Sequence, residues 1–251
     1  MTEQTEILIE LSSRKRRIAA FLIDHFVMTF LMVSIVFIAL GPNFMDNDNM
    51  ANMQSIMLWV MIPGFLLYFA KDSIQGISVG KWIMGIMIRN DADNETPTFI
   101  KLFIRNLLIV IWPIEFIVLA ASSDKKRLGD KIAKTKVLKN PNKPKRLPRI
   151  LTLILIGACF FLFTYFTAGT AMKNSDAYKV AIENIESNEN VIESTGGIIG
   201  YGNMPKGNIN ITNGYGVAQL QIKVKGNTED VTVFIHLEKE PEGEWIIKEI
   251  R

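Results

Sequence analysis

Asp24 stands in an apolar run, residues 18–40, that carries no other formal charge. A carboxylate in such a setting is costly unless it is paired or lines a functional path. Arg17 lies seven residues earlier, so the two side chains project from one helical face, and at that separation no direct ion pair is expected. The cation that meets Asp24 should come from elsewhere: Lys81, Arg105 or the basic stretch 122–149. Glu115 and Asp130 are further acids set among apolar or basic neighbours. Two chemistries fit these residue types. One is an ion-pair network that pins a helical bundle. The other is a proton or cation path, with Lys81, Arg105 and Glu115 as pairing or ion-path residues.

Other chemistries find less support. Gly76-Ile77-Ser78-Val79-Gly80-Lys81 resembles a phosphate loop only on the surface, because three residues separate Gly76 from Gly80 and Trp82 follows Lys81 where Ser or Thr is needed. Gly76, Gly80, Gly85 and Gly129 read instead as positions of tight backbone packing. No catalytic set, metal-ligand cluster or cofactor loop has usable spacing. His236 has no neighbouring cysteine or clustered acids and reads as a strand histidine, while Gly196-Gly197 and Gly200-x-Gly202 read as turns. The lone cysteine, Cys159, has no partner for an intrachain disulfide.

The elements that would hold these residues are set by charge. Of 251 residues, 49% are hydrophobic. Residues 122–149 carry eleven Lys/Arg against Asp124 and Asp130, and 150–168 follow with no charge at all. Nineteen apolar residues are enough to cross a bilayer core as a helix, and so basic a flank favours the cytoplasmic side. A first span, residues 18–40, follows the cluster Arg14–Arg17; it is too long for a signal-peptide core and has no cleavage site after it. The loop 41–52 has Asp46 and Asp48 but no Lys or Arg, as expected outside. A second span covers about 53–70, with Pro63-Gly64 as a kink, and 71–98 form a cytoplasmic connection.

Residues 98–121 are ambiguous. Lys101 and Arg105 lie near the start, with Pro113 and Glu115 in the middle, and each apolar half is too short to cross. A bent or re-entrant hairpin with both ends cytoplasmic is expected. The alternative is four full spans with the terminal domain inside. Beyond residue 170 the pattern becomes that of a soluble α+β domain. Asn174 or Ser175 caps a helix to about Asn188, and alternating apolar residues with turns at Asn213-Gly214, Gly226-Asn227 and Pro241–Gly243 give three or four antiparallel strands.

Arg17-x-x-Ala20-x-x-x-Asp24, Gly76-x-Ser78-x-Gly80-Lys81-x-x-x-Gly85 and Arg127-Leu128-Gly129-Asp130-Lys131-x-Ala133-x-Thr135-x-Val137 resemble, in order, the three elements of the RDD membrane-protein family. The arginine and two aspartates behind that name map onto Arg17, Asp24 and Asp130. The resemblance covers about residues 12–140. Lys134 stands where glycine often precedes the threonine, and the third apolar region is shorter than usual. Cation/proton antiport has been proposed for some members, so the resemblance implies interest in Asp24 and Asp130 without choosing between transport and scaffolding. From about 150 onward, one anchor helix, a helix from Ser175 and the small-residue pattern Gly197, Gly207, Gly216, Gly226 and Trp245 resemble cytochrome oxidase assembly factors, which implies an assembly module on the outer face.

The expected architecture is thus an α-helical membrane bundle, three spans plus a re-entrant or bent third hairpin, followed by a small extracytoplasmic α+β domain with an antiparallel sheet. Its parts are an RDD-like membrane domain (1–140), a basic linker (141–149), a transmembrane anchor (150–169) and the α+β domain (170–251). The leading function is a non-enzymatic anchor and interaction or assembly module for a membrane or envelope complex; the alternative is a small cation/proton transporter. The expected partners are the lipid bilayer and a protein bound through residues 170–251, with no nucleic acid, and a homo-oligomer is needed if one chain is too small to enclose a path. The expected location is the plasma membrane, N-terminus cytoplasmic and terminal domain outside.

Overall fold

The computed structural model describes residues 10–40 and 47–251, so most of the expected polar tail and the first half of the expected loop at 41–52 lie outside the described residues. The chain divides into two compact units, one formed by residues 1–36 and 55–161, the other by 37–54 and 162–251.

The first unit is built on long apolar helices. Helix α1 (Arg14–Leu40) starts within the basic cluster, and α2 (Asn47–Ala70) continues through Pro63. A short α3 (Val79–Met84) begins at Ser78, whose side chain accepts from the Lys81 N–H, and ends at Gly85 in the left-handed conformation that glycine adopts without strain. Strand β1 (Ile86–Asn90) follows directly. The third apolar segment comprises α4 (Phe99–Leu107), a 3-10 turn (Leu108–Ile111) and α5 (Trp112–Ala121). A short α6 (Leu128–Ile132) and β2 (Thr135–Lys139) precede α7 (Arg146–Asn174), which starts inside the basic linker and runs past the expected end of its span. Among the described residues four helices are long and apolar enough to cross a membrane: Arg14–Leu40, Met53–Ala70, Phe99–Ala121 and Arg146–Asn174. Their outer faces show Ile38, Trp59 and Phe161 at 72%, 81% and 66% exposure, surfaces that lipid solvates and water does not. Phe26 and Phe30 of α1 pack edgewise on Phe160 of α7, with ring centroids 5.1 and 5.4 Å apart.

A two-stranded sheet joins parts of the chain far apart in sequence. β1 pairs antiparallel with β2, from Ile86 opposite Lys139 to Asn90 opposite Thr135. Leu11 bridges to Leu138, and the Ser12 N–H donates to the Val137 carbonyl at 2.9 Å. The residues before α1, before α4 and after α6 therefore meet in one place. Ile86, Ile88 and Val137 bury against Ala20 of α1 and Leu102 of α4.

The third apolar segment does not run straight. The Gly129 N–H donates to Glu115 Oε1 at 2.8 Å, and a Cβ on Gly129 would collide with the Arg105 carbonyl. Ten residues of unbroken helix would hold Arg105 and Glu115 about 15 Å apart. The break lies at the 3-10 turn, where Ile111 leaves helical geometry (φ −102°, ψ 40°) just before Pro113. At the two ends, Lys101 donates to Asn90 Oδ1 at 3.3 Å and Lys126 to Asp91 Oδ2 at 2.7 Å. The segment leaves the end of β1 and comes back to it.

In the second unit, α8 (Asp176–Ser187), capped by Ser175, and α9 (Glu189–Thr195) cover one face of an antiparallel sheet. Its strands are β3 (Ile198–Tyr201), β4 (Lys206–Thr212), β5 (Tyr215–Gly226), β6 (Val231–Lys239) and β7 (Trp245–Ile250), in the order β3-β5-β6-β7 with β4 also pairing β5. Asn213 and Gly214, both at positive φ, turn β4 into β5, with Thr212 opposite Tyr215. Leu220, Ile222, Val224, Ile235 and Leu237 alternate inward against Ala177, Ala181 and Ile185. The sequence expectation of one helix on three or four strands is corrected to two helices on five. The additions are short: α9 has seven residues and β3 four.

Candidate functional site

Nine ionised side chains from α1, α3, α4, α5, α6 and the loops between them meet beneath the two-stranded sheet. Asp130 is fully buried. It accepts from Arg105 Nε at 2.8 Å, from a guanidinium N–H of Arg17, and from the Arg127 backbone N–H at 3.1 Å. Asp72, also fully buried, accepts from Lys81 Nζ at 2.6 Å, Arg105 Nη1 at 3.2 Å and Asn106 Nδ2 at 2.9 Å. Arg105 is thus a bridge between two carboxylates, a use for which a planar guanidinium is suited. Asn106 ties the centre together by accepting from Arg105 and Arg127 and donating to the Phe69 carbonyl.

Asp24 binds the start of α3. Its oxygens accept from Ser78 Oγ at 2.6 Å and the Gly80 N–H at 2.7 Å, with Lys71 and Lys81 ammoniums 3.6 and 3.7 Å away. The approach is close because residue 80 is glycine: a Cβ there would run into the Ala20 carbonyl. Glu115 pairs with Arg127 at 3.2 Å in addition to its bond from Gly129. Its second oxygen and Arg127 Nε lack hydrogen-bond alignment, so this is an ion pair without directed bonding.

Burial alone would raise the carboxyls of Asp72 and Asp130. For Asp72 the charges of Lys81, Arg105 and Lys71 outweigh it, and for Asp130 those of Arg105, Arg17 and Arg127, so both lie well below the ordinary carboxylate range. Among the cations, burial lowers Arg127 to about 10 and also acts on Lys71. Burial pulls its ammonium down to about 8, against the attraction of Asp24. It lies over the Tyr68 ring at 4.2 Å and 5.7 Å from the centroid of Phe21. Arg17, Asp24, Lys71, Lys81, Arg105 and Arg127 contribute to the lining of a cavity of about 30 Å³, large enough to admit water.

The six polar residues singled out from sequence, Arg17, Asp24, Lys81, Arg105, Glu115 and Asp130, all enter this cluster. Lys81 does meet Asp24; Arg105 goes to the other two aspartates instead. Three of the four glycines make close backbone contact, Gly80 and Gly129 on neighbouring carbonyls and Gly76 on that of Ile88, whereas Gly85 faces the side chains of Lys143 and Arg149. Four members were missed. Lys71 and Asp72 look like the polar end of a span, Asn106 like a helix residue, and Arg127 like one charge among eleven. The signal that could have found Asp72 is an acid adjacent to Lys71 at the very end of an apolar run, where cations alone are usual. His236, in the other unit, lies on the open face of the sheet, with Nε2 3.3 Å from Glu238.

The RDD family model matches residues 11–134. Residues 11–134 are therefore similar to the RDD family of membrane proteins. Arg17, Asp24 and Asp130 all fall inside the match, and in the matched segment they share one network: Arg17 binds Asp130, Arg105 joins Asp130 to Asp72, and Lys81 joins Asp72 to Asp24. The match stops short of α7, and the resemblance of the terminal unit to cytochrome oxidase assembly factors gains no support from it. No curated protein and no solved structure matches the chain.

Proposed function

We propose that the chain is a non-enzymatic multi-pass membrane protein in which the RDD segment anchors and orients the terminal α+β unit as an interaction module for assembly of a membrane or envelope complex. The observation that carries this reading is the closure of the charge cluster. Its carboxylates and guanidiniums are spent on one another, and the cavity they help to line has a volume of about 30 Å³. Such a network fixes helices and supports a structural role over a wide conduit among the described residues.

The pairing of β1 with β2 supports a topology. Hydrogen-bonded strands lie on one side of a bilayer, so the third apolar segment, which connects them, enters and returns on the same side. The bridge from Leu11 to Leu138 supports the same side for the N-terminus. The density of Lys and Arg in 122–149 makes that side cytoplasmic. Helices α1 and α2 then cross and return, α7 crosses once, and the terminal unit is outside the plasma membrane. The test is in-cell crosslinking followed by affinity capture, with the full-length protein and with a chain ending at Asn174. Loss of captured partners on truncation supports the module; undiminished capture refutes it.

A second reading, proton-coupled cation transport, draws on Lys71, whose ammonium burial brings down to about 8 beside Asp24. Proteoliposomes of purified protein under a sodium or potassium gradient test it. Ion-dependent internal pH changes that Asp24→Asn abolishes support transport, and no flux from the wild type eliminates it.

A further inference from the structure

The buried cluster satisfies its cations internally; a second group of cations in the same unit does not. Arg16 of α1, Lys143 and Lys145 of the linker, and Arg146 and Arg149 of the first turn of α7 line, together with Pro144, a cavity of about 280 Å³. None of the five has an ion-pair partner among the described residues. Glu10 is within electrostatic reach of Arg16 and Lys143, but it is bound to Lys139. The pocket is built and not merely crowded. Arg149 Nε donates to the Ile83 carbonyl, while Gly85 leaves so little room that a Cβ would stand 3.1 Å from Lys143 and 3.6 Å from Arg149. Immediately along α7, Leu147, Ile150, Leu151 and Ile154 are 52–66% exposed.

We propose that this pocket binds a phosphate group, and that its occupant is the phosphodiester headgroup of an anionic phospholipid. Five unpaired cations around one concavity demand an anion, and guanidiniums bind phosphate oxygens in a two-pronged fashion. The pocket lies where two apolar helices begin, α1 at Arg14 and α7 at Arg146, so the headgroup level of a bilayer is its natural height. The exposed leucines and isoleucines below it offer an apolar track for the acyl chains. A bound lipid would tie α1, α7 and the turn at Gly85 together by a contact the protein cannot make from its own charges.

Native mass spectrometry of the full-length protein, with equimolar phosphatidylglycerol and phosphatidylcholine added in detergent, tests the proposal. The wild type retains phosphatidylglycerol in preference to phosphatidylcholine. The variant Lys143→Gln/Lys145→Gln/Arg146→Gln, altered only at exposed positions, retains at least about five-fold less, the weight of a single surface cation. The control Lys125→Gln/Lys131→Gln/Lys134→Gln removes the same charge outside the pocket and retains as much as the wild type. Millimolar inorganic phosphate forms a second arm. If it leaves the lipid in place, the headgroup is the occupant; if it strips the lipid, phosphate recognition stands and the occupant is a soluble phosphate. No preference for phosphatidylglycerol in the wild type, equal retention by the pocket variant, or an equal loss in the control overturns the site.

Discussion

Arg17 and Asp130 are 113 positions apart, and their side chains form a buried ion pair that joins the start of α1 to α6. Asp130 holds Arg105 with its other oxygen, so one carboxylate bridges two guanidiniums from two helices. Removing one partner of such a group leaves uncompensated charge in the interior. Asp130→Asn is expected to cost roughly 3–5 kcal/mol, measured by equilibrium unfolding in mixed micelles. Adding Arg17→Met to that variant should cost less than the two single changes summed, because the cation already lacks its partner. Additive losses would mean that the pair is not coupled.

Gly80 offers a sharper probe of how α3 seats on α1. In an ordinary helix interior, Gly→Ala stabilises by up to about 1 kcal/mol. Here the new methyl would meet the Ala20 carbonyl and push the Gly80 N–H off Asp24. Gly80→Ala is therefore expected to lower the unfolding temperature, and a rise would show that the close approach does not exist.

The ammonium of Lys71 sits near 8 in the fold against 10.5 ordinarily. Between these values the unfolded chain binds more protons, so stability rises with pH across that window. The cost of burying the charge is complete below about pH 8 and vanishes toward pH 10.5. Lys71→Met removes the effect. The unfolding temperature of the wild type should thus gain on that of Lys71→Met as pH climbs through this range. A constant difference between the two would show that Lys71 titrates normally.

Much of this was legible because membrane helices announce themselves one at a time. The apolar runs, the break at Pro113 and the Asn213-Gly214 hairpin depend on neighbours in sequence, and each is found in the structure. The sheet of β1 and β2 was not legible. Each strand has five residues, the partner is reached only after the whole third apolar segment, and no turn joins them. The charge cluster was half legible for the same reason. Asp24 stands out within an apolar run, whereas Asp72 and Arg127 look like surface charges until the segment between them folds back. In the terminal unit, α9 and β3 are too short to show a period.

Ser175 ends the long α7 and starts α8, its Oγ accepting from the Tyr178 N–H at 3.2 Å. Ser175→Ala should cost about 0.5–2 kcal/mol locally. Hydrogen exchange of the first-turn amides of α8 is the readout, with faster exchange there expected and the sheet amides unchanged. Unchanged exchange in α8 would show that the cap contributes nothing.

The proposed topology requires the third apolar segment to return to the side it left. In a Cys159→Ser background, single cysteines at Asn94, Lys134 and Asn227 can be challenged with an impermeant maleimide on intact cells. The fold described here predicts labelling at position 227 alone, with 94 and 134 protected until the membrane is opened. Labelling at 134 with protection at 94 and 227 would mean that the segment crosses outright, and would contradict it.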